Sequence, residues 1–390
     1  MRKIFCLIIL SSLLFVPKLY AGGLDPIGGI GARAKGMGGA GMATAEGAAA
    51  FYYNPALLVE SGSFAEAGAD YIGASFTYKD PAGNSHKSDL GEYYVPISGF
   101  SYRKGDWSAG IGLTTPYVFG ADFEKSLGML SKICLIDISP AVAYKVSKDL
   151  SIGAALTIGN SNVRFISPIF NPFTGQRLGT LETRADGWGL GYQVGLLYKP
   201  VEPLAFSLAY QSPVRVELGG RTTAFLPAPL GFADNFSSTF TFPGRLSFGA
   251  RLRAEKLLVA ADLSWFDYSQ TKRVDLAFEH LPRATMSLDW KDNLSFNMGA
   301  EYELLKGVFA RTGFGYQTGV IPDRTISPAT PDMDGWNASA GLGWRGEHWG
   351  MDAAYTHAWG EERRVPRRFP GAGSYSADIS IVSAAINYRF

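Results

Sequence analysis

The chain has 390 residues, with 36 Lys+Arg against 35 Asp+Glu, and is 46% hydrophobic and 13% aromatic. Balanced charge excludes a dedicated nucleic-acid binder, two cysteines exclude a disulfide scaffold, and the apolar content excludes a disordered chain. Glycine, with 47 residues, stands well above the roughly 7% of average usage.

In chain order, the N-terminus comes first. Arg2 and Lys3 lead into an apolar run from Ile4 to Val16, and Leu19-Tyr20-Ala21 places a small residue at a cut site. This is the pattern of a secretory signal peptide over residues 1–21, too short to serve as a spanning anchor. A chain cut there starts near Gly22 and keeps one thiol, Cys134, so it has no internal disulfide.

Residues 22–62 do not alternate. They are crowded with Gly28, Gly29, Gly31, Gly36, Gly38, Gly39, Ala40 and Gly41, and then with Phe51, Tyr52 and Tyr53. Small residues let backbone pack close to backbone, and the aromatics argue against a solvated tail. The reading is a compact plug. Gly29-Ile30-Gly31-Ala32-Arg33-Ala34 is not a dinucleotide fingerprint, because no βαβ unit follows it.

From about residue 63 to 390 the chain reads in twos. Trp336, Ala338, Ala340, Leu342 and Trp344 alternate with Asn337, Ser339, Gly341 and Gly343. Trp349, Met351, Ala353, Tyr355 and Trp359 repeat the pattern, as do the stretches Leu294–Tyr302 and Val308–Tyr316. In a strand the two sets face opposite ways. Aromatics at both ends of a small apolar stripe match an outer-membrane strand with its two girdles.

Short polar turns are expected around 103–106, 147–149, 199–203, 253–256, 305–307 and 345–348. Longer connectors are expected near 80–89, 120–132, 167–184, 218–237, 277–290, 319–334 and 363–374. Strict alternation of short and long is the asymmetry of a bacterial outer-membrane barrel. It predicts an all-β, membrane-spanning antiparallel barrel of about fourteen strands, wide enough to need a plug. The last strand places Val382, Ala384, Ile386, Tyr388 and Phe390 on one face. His86, His280, His348 and His357 have no metal-ligand spacing and there is no Gly-x-Ser-x-Gly elbow. No enzyme, metal or cofactor is expected.

Gly31-Ala32-Arg33-Ala34 through Gly38-Gly39-Ala40, then Tyr53-Asn54-Pro55-Ala56, resembles the N-terminal hatch of the FadL/TodX family of outer-membrane transporters. The likeness continues through Trp188–Tyr198, Leu263–Ser269 and Pro322–Pro328, over nearly the whole chain after the signal segment. A terminal Phe390 likewise looks like the signal read by the barrel assembly machinery. The resemblance implies a fourteen-stranded barrel with a hatch. It also implies passive uptake of long-chain fatty acids or aromatic hydrocarbons in the outer membrane: capture, hatch rearrangement, and release sideways through the wall. The alternative class is a non-transporting barrel that serves as a platform for other surface proteins.

A sideways exit needs a broken ladder. Pro116 cannot donate to one, so Pro116, Tyr117 and Gly120 are the candidate gate, unless Pro116 merely ends its strand at the rim. By order and local match, Arg164, Phe165 and Lys291 resemble the ligand-binding positions, where a cation would meet a carboxylate. Asn54, Pro55 and Ala56 form the hatch motif. The connector 120–132 looks short, so the outer capture site is reduced. Leu127, Met129, Leu130, Phe165, Ile169 and Phe170 either form a small apolar mouth or pack on one another. Arg363, Arg364, Arg367 and Arg368 either grip lipopolysaccharide phosphates or stand solvated.

Overall fold

The computed structural model describes residues 26–89, 91–171, 174–228, 231–280 and 282–390. The expected signal segment, with Cys6, lies outside the described residues.

The wall is a closed antiparallel ring of fourteen strands, here called staves one to fourteen in chain order. Staves one to six are Phe64–Lys79, Gly91–Lys104, Trp107–Phe123, Met129–Lys145, Leu150–Phe170 and Arg177–Val201. Stave seven joins Leu204–Gln211 to Val214–Phe225 across Pro213, and stave eight joins Phe232–Phe242 to Arg245–Ala254 across Pro243. Staves nine to fourteen are Leu257–Phe266, Asn293–Leu305, Val308–Gln317, Gly335–Arg345, Trp349–Gly360 and Gly373–Arg389. Stave one pairs with stave fourteen from Phe64↔Arg389 to Lys79↔Ser374, which closes the ring and leaves no edge there.

All six short turns fall at the expected places. Glu255 and Gly307, both at positive φ, sit in two of them. Alternation matches the outer surface. Trp336 and Trp344 bracket exposed Leu342, and Trp349 and Trp359 bracket exposed Met351 and Tyr355. The inward set is small or polar: Ser339, Asp352 and Thr356 are buried.

Several connectors are shorter than the sequence suggests. Stave three runs to Phe123 and stave four begins at Met129, so the 120–132 connector reduces to the short helix Glu124–Leu127 and Gly128. Staves five and six reach 21 and 25 residues and reduce the 167–184 connector to 171–176. Above the lipid both faces of a strand are wet. The ladder then persists while the apolar alternation that reveals it stops. The connector after stave nine carries the small strands Arg273–Phe278 and Ala284–Ser287.

Residues 26–62 form helical turns: Ala32–Gly36, Gly47–Ala49, Ala50–Tyr53, Pro55–Leu57 and Leu58–Ser61. These touch staves all round the ring, from stave one through stave six and from eleven through fourteen. They are buried almost throughout and fit a plug.

Candidate functional site

The hatch is seated by three kinds of contact. The first is close approach. A Cβ on Gly195 would lie 2.0 Å from Asn54 Oδ1, and one on Gly153 would lie 2.4 Å from the Ala56 nitrogen. A Cβ on Gly313 would lie 2.2 Å from the Met37 carbonyl carbon. The inward glycines of the wall are therefore sockets for the hatch backbone. The second is hydrogen bonding. Asn54 Nδ2 donates to Leu196 O and Ser207 Oγ, each at 2.8 Å, and its Oδ1 accepts from the Ala56 nitrogen at 2.9 Å. Pro55 follows at the first position of its helical turn, where no N–H is needed.

The third contact is charge. Arg33 holds Glu301 through two nitrogens, each at 2.9 Å, and Glu46 at 2.9 Å. Glu301 also accepts from Arg311 at 2.7 Å, Arg311 reaches Asp352 at 2.7 Å, and Arg345 reaches Asp352 at 2.8 Å. Arg389 closes the chain on Glu46 at 2.9 Å. Burial alone would raise the Glu46 carboxyl. Arg33, Arg345 and Arg389 outweigh it and hold that carboxyl below the usual range. At the other side Glu60 receives Arg251 at 2.8 Å and also Lys199, and is lowered in the same way against its own burial.

The wall has one open seam among the described residues. Staves two and three pair only from Ser98↔Leu113 to Lys104↔Trp107. Above this, residues 91–97 pair with stave one, and residues 114–123 pair with stave four. Between Thr114↔Asp137 and Tyr117↔Leu135 stave three carries one extra residue, a bulge at Thr115-Pro116. Pro96 stands on the facing stave, so each side of the seam has a residue with no N–H to offer. Behind the seam is a pocket lined by Val95, Pro96, Ile97, Thr115 and Val118 of the wall and by Ile27 and Ile30 of the hatch. Lys35 also lines it. Its ammonium donates to Ile27 O at 3.3 Å and to Gly29 O, and stands 3.6 Å from Asp70.

Inside the ring, above the hatch, aromatic rings adjoin in series. Tyr117 lies tilted beside Phe242 with ring centroids 5.3 Å apart, Phe242 meets Phe240 edge to face at 5.0 Å, Phe240 meets Trp290 edge to face at 5.9 Å, and Trp290 meets Tyr268 edge to face at 5.8 Å. Tyr117 Oη donates to Pro243 O at 3.0 Å, tying the bulge of stave three to the break of stave eight.

Comparison with known proteins decides the family. Residues 27–390 match the family model described as outer membrane protein transport protein (OMPP1/FadL/TodX). The chain belongs to this FadL/TodX family. It is an outer-membrane barrel. It is 26% identical over 252 residues to outer membrane protein P1 of Haemophilus influenzae, across 64% of this chain and 51% of that one. It is 22% identical over 270 residues to the long-chain fatty acid transport protein of Escherichia coli O157:H7, across 65% of this chain and 56% of that one. The chain thus spans about half the length of the curated relatives it matches. A Pseudomonas aeruginosa FadL homologue has the same fold, with a TM-score of 0.83 at 17% identity, covering 95% of this chain and 100% of that one.

The structure places the expected FadL/TodX residues unevenly. Pro116 and Tyr117 lie at the seam, and Gly120 lies above them opposite Lys132. Phe165 packs against the interior apolar cluster, as do Leu127 and Met129. Arg164 does not line the interior. Its neighbours Val163 and Phe165 face in, so it faces out, where Glu182 holds it at 2.7 Å. Lys291 is exposed beside buried Trp290, and its N–H donates to Val320 O at 2.8 Å. No contact brings Lys291 and Arg164 together among the described residues.

Of the last-loop arginines, Arg363 binds Asp323 at 2.7 Å and Arg364 binds Glu362 at 3.2 Å. Arg367 donates to Pro81 O, and Arg368 lies over Phe369. The set is engaged within the loops. Asp234, Glu279 and His280 come together across the chain, bound by a 3.0 Å contact from His280 to Asp234. Pro96 and Lys35 are the residues sequence reasoning passed over. The proline was legible as a non-donor within a strand.

The outer loop 318–334 carries a titration. Burial pushes the Asp332 carboxyl up to about 6, although Ile321 N–H donates to it at 2.7 Å and Arg363 lies 3.5 Å away. A raised carboxyl folds best when protonated. Its stabilising effect is full below the ordinary value near 3.8 and is lost as pH rises through about 6. Amide protection factors in 319–334, taken relative to the intrinsic rate at each pH, should therefore be higher at pH 5 than at pH 7.5. Asp332→Asn should flatten that difference, and an unchanged pH dependence in the variant would reject this account.

Proposed function

We propose that the chain carries small hydrophobic compounds passively across the outer membrane. They are captured at the outer mouth, pass over the aromatic interior, and leave sideways through the seam between staves two and three. The observation that carries this is the seam itself. A closed barrel has no reason to leave half of one strand pair unladdered, and here the gap backs onto a mostly apolar pocket, with Lys35 beside Asp70 at one side, capped by the hatch. A water-filled pore offers such a solute no binding energy, whereas an apolar pocket does. The pocket and the ring series support transport over a platform role.

Among hydrophobic compounds, the interior favours aromatic hydrocarbons over fatty acids. Rings in series meet a flat aromatic ligand by the same edge-to-face contacts they make with one another. Arg164, expected to meet a carboxylate, faces outward instead. Hatch movement is part of the proposal, because Ile27 and Ile30 close the pocket from within.

The test is to bridge the seam. In a Cys134→Ala background, Val95→Cys and Val118→Cys are joined by a short bifunctional thiol reagent. Uptake of labelled toluene and of a labelled long-chain fatty acid is then measured in whole cells. Bridging should abolish uptake, and each single cysteine treated alike should not. Uptake that survives complete bridging would rule out the seam as the exit. Loss of toluene uptake without any measurable fatty-acid uptake in the unbridged protein would support the aromatic reading.

A further inference from the structure

Four basic residues stand in register on four adjacent staves. Lys132 is opposite Arg164, Arg164 is opposite Arg184, and Arg184 is opposite Arg221. Like charges directly opposite across a ladder are destabilising, so folding alone gives no reason for this row. Two carboxylates temper it. Arg164 and Arg184 share one oxygen of Glu182, each at 2.7 Å, and Lys132 lies 3.6 Å from Asp122. Two guanidinium groups on one carboxylate leave a net positive charge, and Arg184 and Arg221 are exposed.

The height of the row names its ligand. Its residues share the outward parity of Leu156, Trp188 and Leu190, which are exposed at 59%, 58% and 74%. Trp188 is the outer girdle residue of stave six. Arg184 lies four residues beyond it, or roughly 10 Å higher on a tilted strand. That is the headgroup zone of the outer leaflet; the next outward row, Asn162, Asp186 and Gly219, is polar, and the apolar lipid-facing wall begins below it at Trp188 and Leu190.

We propose that this row binds the phosphorylated headgroup of an outer-leaflet lipid whose acyl chains lie against staves five and six. The row spans three inter-strand steps of about 4.8 Å, or roughly 14 Å, which suits a headgroup bearing two phosphates. Arginine's planar fork suits phosphate oxygens by paired charge-assisted hydrogen bonds. The last-loop arginines are spread over separate loop partners, whereas this row stands in register on four adjacent staves, so the row is the better anion site. The proposal is independent of the transport reading.

The experiment titrates purified full-length protein, in detergent, with bisphosphorylated lipid A and with the same lipid lacking one phosphate, read by native mass spectrometry. Excess sodium phosphate is the competitor. The variant is Arg164→Gln, Arg184→Gln, Arg221→Gln, with Arg364→Gln, Arg367→Gln as the control. Wild type should prefer the bisphosphorylated lipid by about tenfold, and the triple variant should lose that preference while the loop control keeps it. Sodium phosphate should not displace the lipid. An undiminished preference in the triple variant, or ready displacement by phosphate alone, would overturn the proposal. Heat-modifiable gel mobility reports folding. Should the triple variant not fold, the exposed single variants Arg184→Gln and Arg221→Gln carry the test, and both should weaken binding.

Discussion

Replacing Gly313 with valine should unseat the hatch and turn a closed barrel into a conducting one. The added Cβ would lie 2.2 Å from the Met37 carbonyl carbon and 2.4 Å from the Gly38 nitrogen. Both are backbone atoms, so no rotamer change relieves the clash. Gly38 is itself at φ 67 and pressed against Phe314, so the hatch turn has little room to retreat. Overpacking of this kind typically costs 1–3 kcal/mol or more, concentrated here on the interface between hatch and stave eleven. The wall has its own hydrogen-bonded ladder on either side, from Ser295↔Gln317 to Val308↔Trp344, and should still close. The expected result is steady ion conductance in planar bilayers, absent from the parent chain, with an unchanged folded mobility on gels. Gly219→Ala is the matched control, because a Cβ there meets nothing within 4 Å. A closed Gly313→Val barrel would mean that the hatch is held by its hydrogen bonds and charge contacts without this socket.

The barrel was legible because lipid imposes a rule on sequence. A wall strand must be apolar outside, and a plugged lumen is small or polar inside, so Trp336 to Trp344 spells out its own geometry. Where that rule lapses, legibility lapses too. Arg177 to Arg184 has wet surroundings on its outer side and carries no apolar stripe, so a ladder that continues through it reads as loop. The hatch was visible by its crowd of small residues. Its sockets were not, because Gly153, Gly195 and Gly313 look like any inward residue of an alternating strand. Which hatch atom meets each of them is decided by contacts between residues far apart in the chain.

The site divides in the same way. Pro116 announces itself, since a proline cannot complete a ladder wherever it stands. The seam needed both sides, and Pro96 sits within Tyr93-Tyr94-Val95-Pro96-Ile97, which otherwise reads as an ordinary strand. Arg164 was misplaced although parity alone was enough to place it. In Val163-Arg164-Phe165 the arginine and the phenylalanine face opposite sides of any strand. The aromatic series draws on Tyr117, Phe240, Phe242, Tyr268 and Trp290, from two staves and a connector, and no local pattern joins them.

Arg311→Met should produce the largest loss of stability of any single side-chain truncation in the wall. Arg311 is 4% exposed and sits between two buried carboxylates, Glu301 at 2.7 Å and Asp352 at 2.7 Å. Removing it leaves Glu301 with Arg33 alone and Asp352 with Arg345 alone. Breaking a buried pair by deleting one partner typically costs 3–5 kcal/mol, because the remaining charge stays desolvated. The network continues through Arg33 to Glu46 and Arg389, so the loss should loosen the hatch as well as the wall. The measurement is the urea midpoint of the barrel in detergent, alongside bilayer conductance. A double substitution, Arg311→Met with Glu301→Gln, should recover part of the loss, since it removes the stranded charge together with its partner. If Arg311→Met alone shifts the midpoint no more than a surface change such as Arg253→Met, the network is solvated in the folded protein. The hatch would then rest on its glycine sockets and on Asn54.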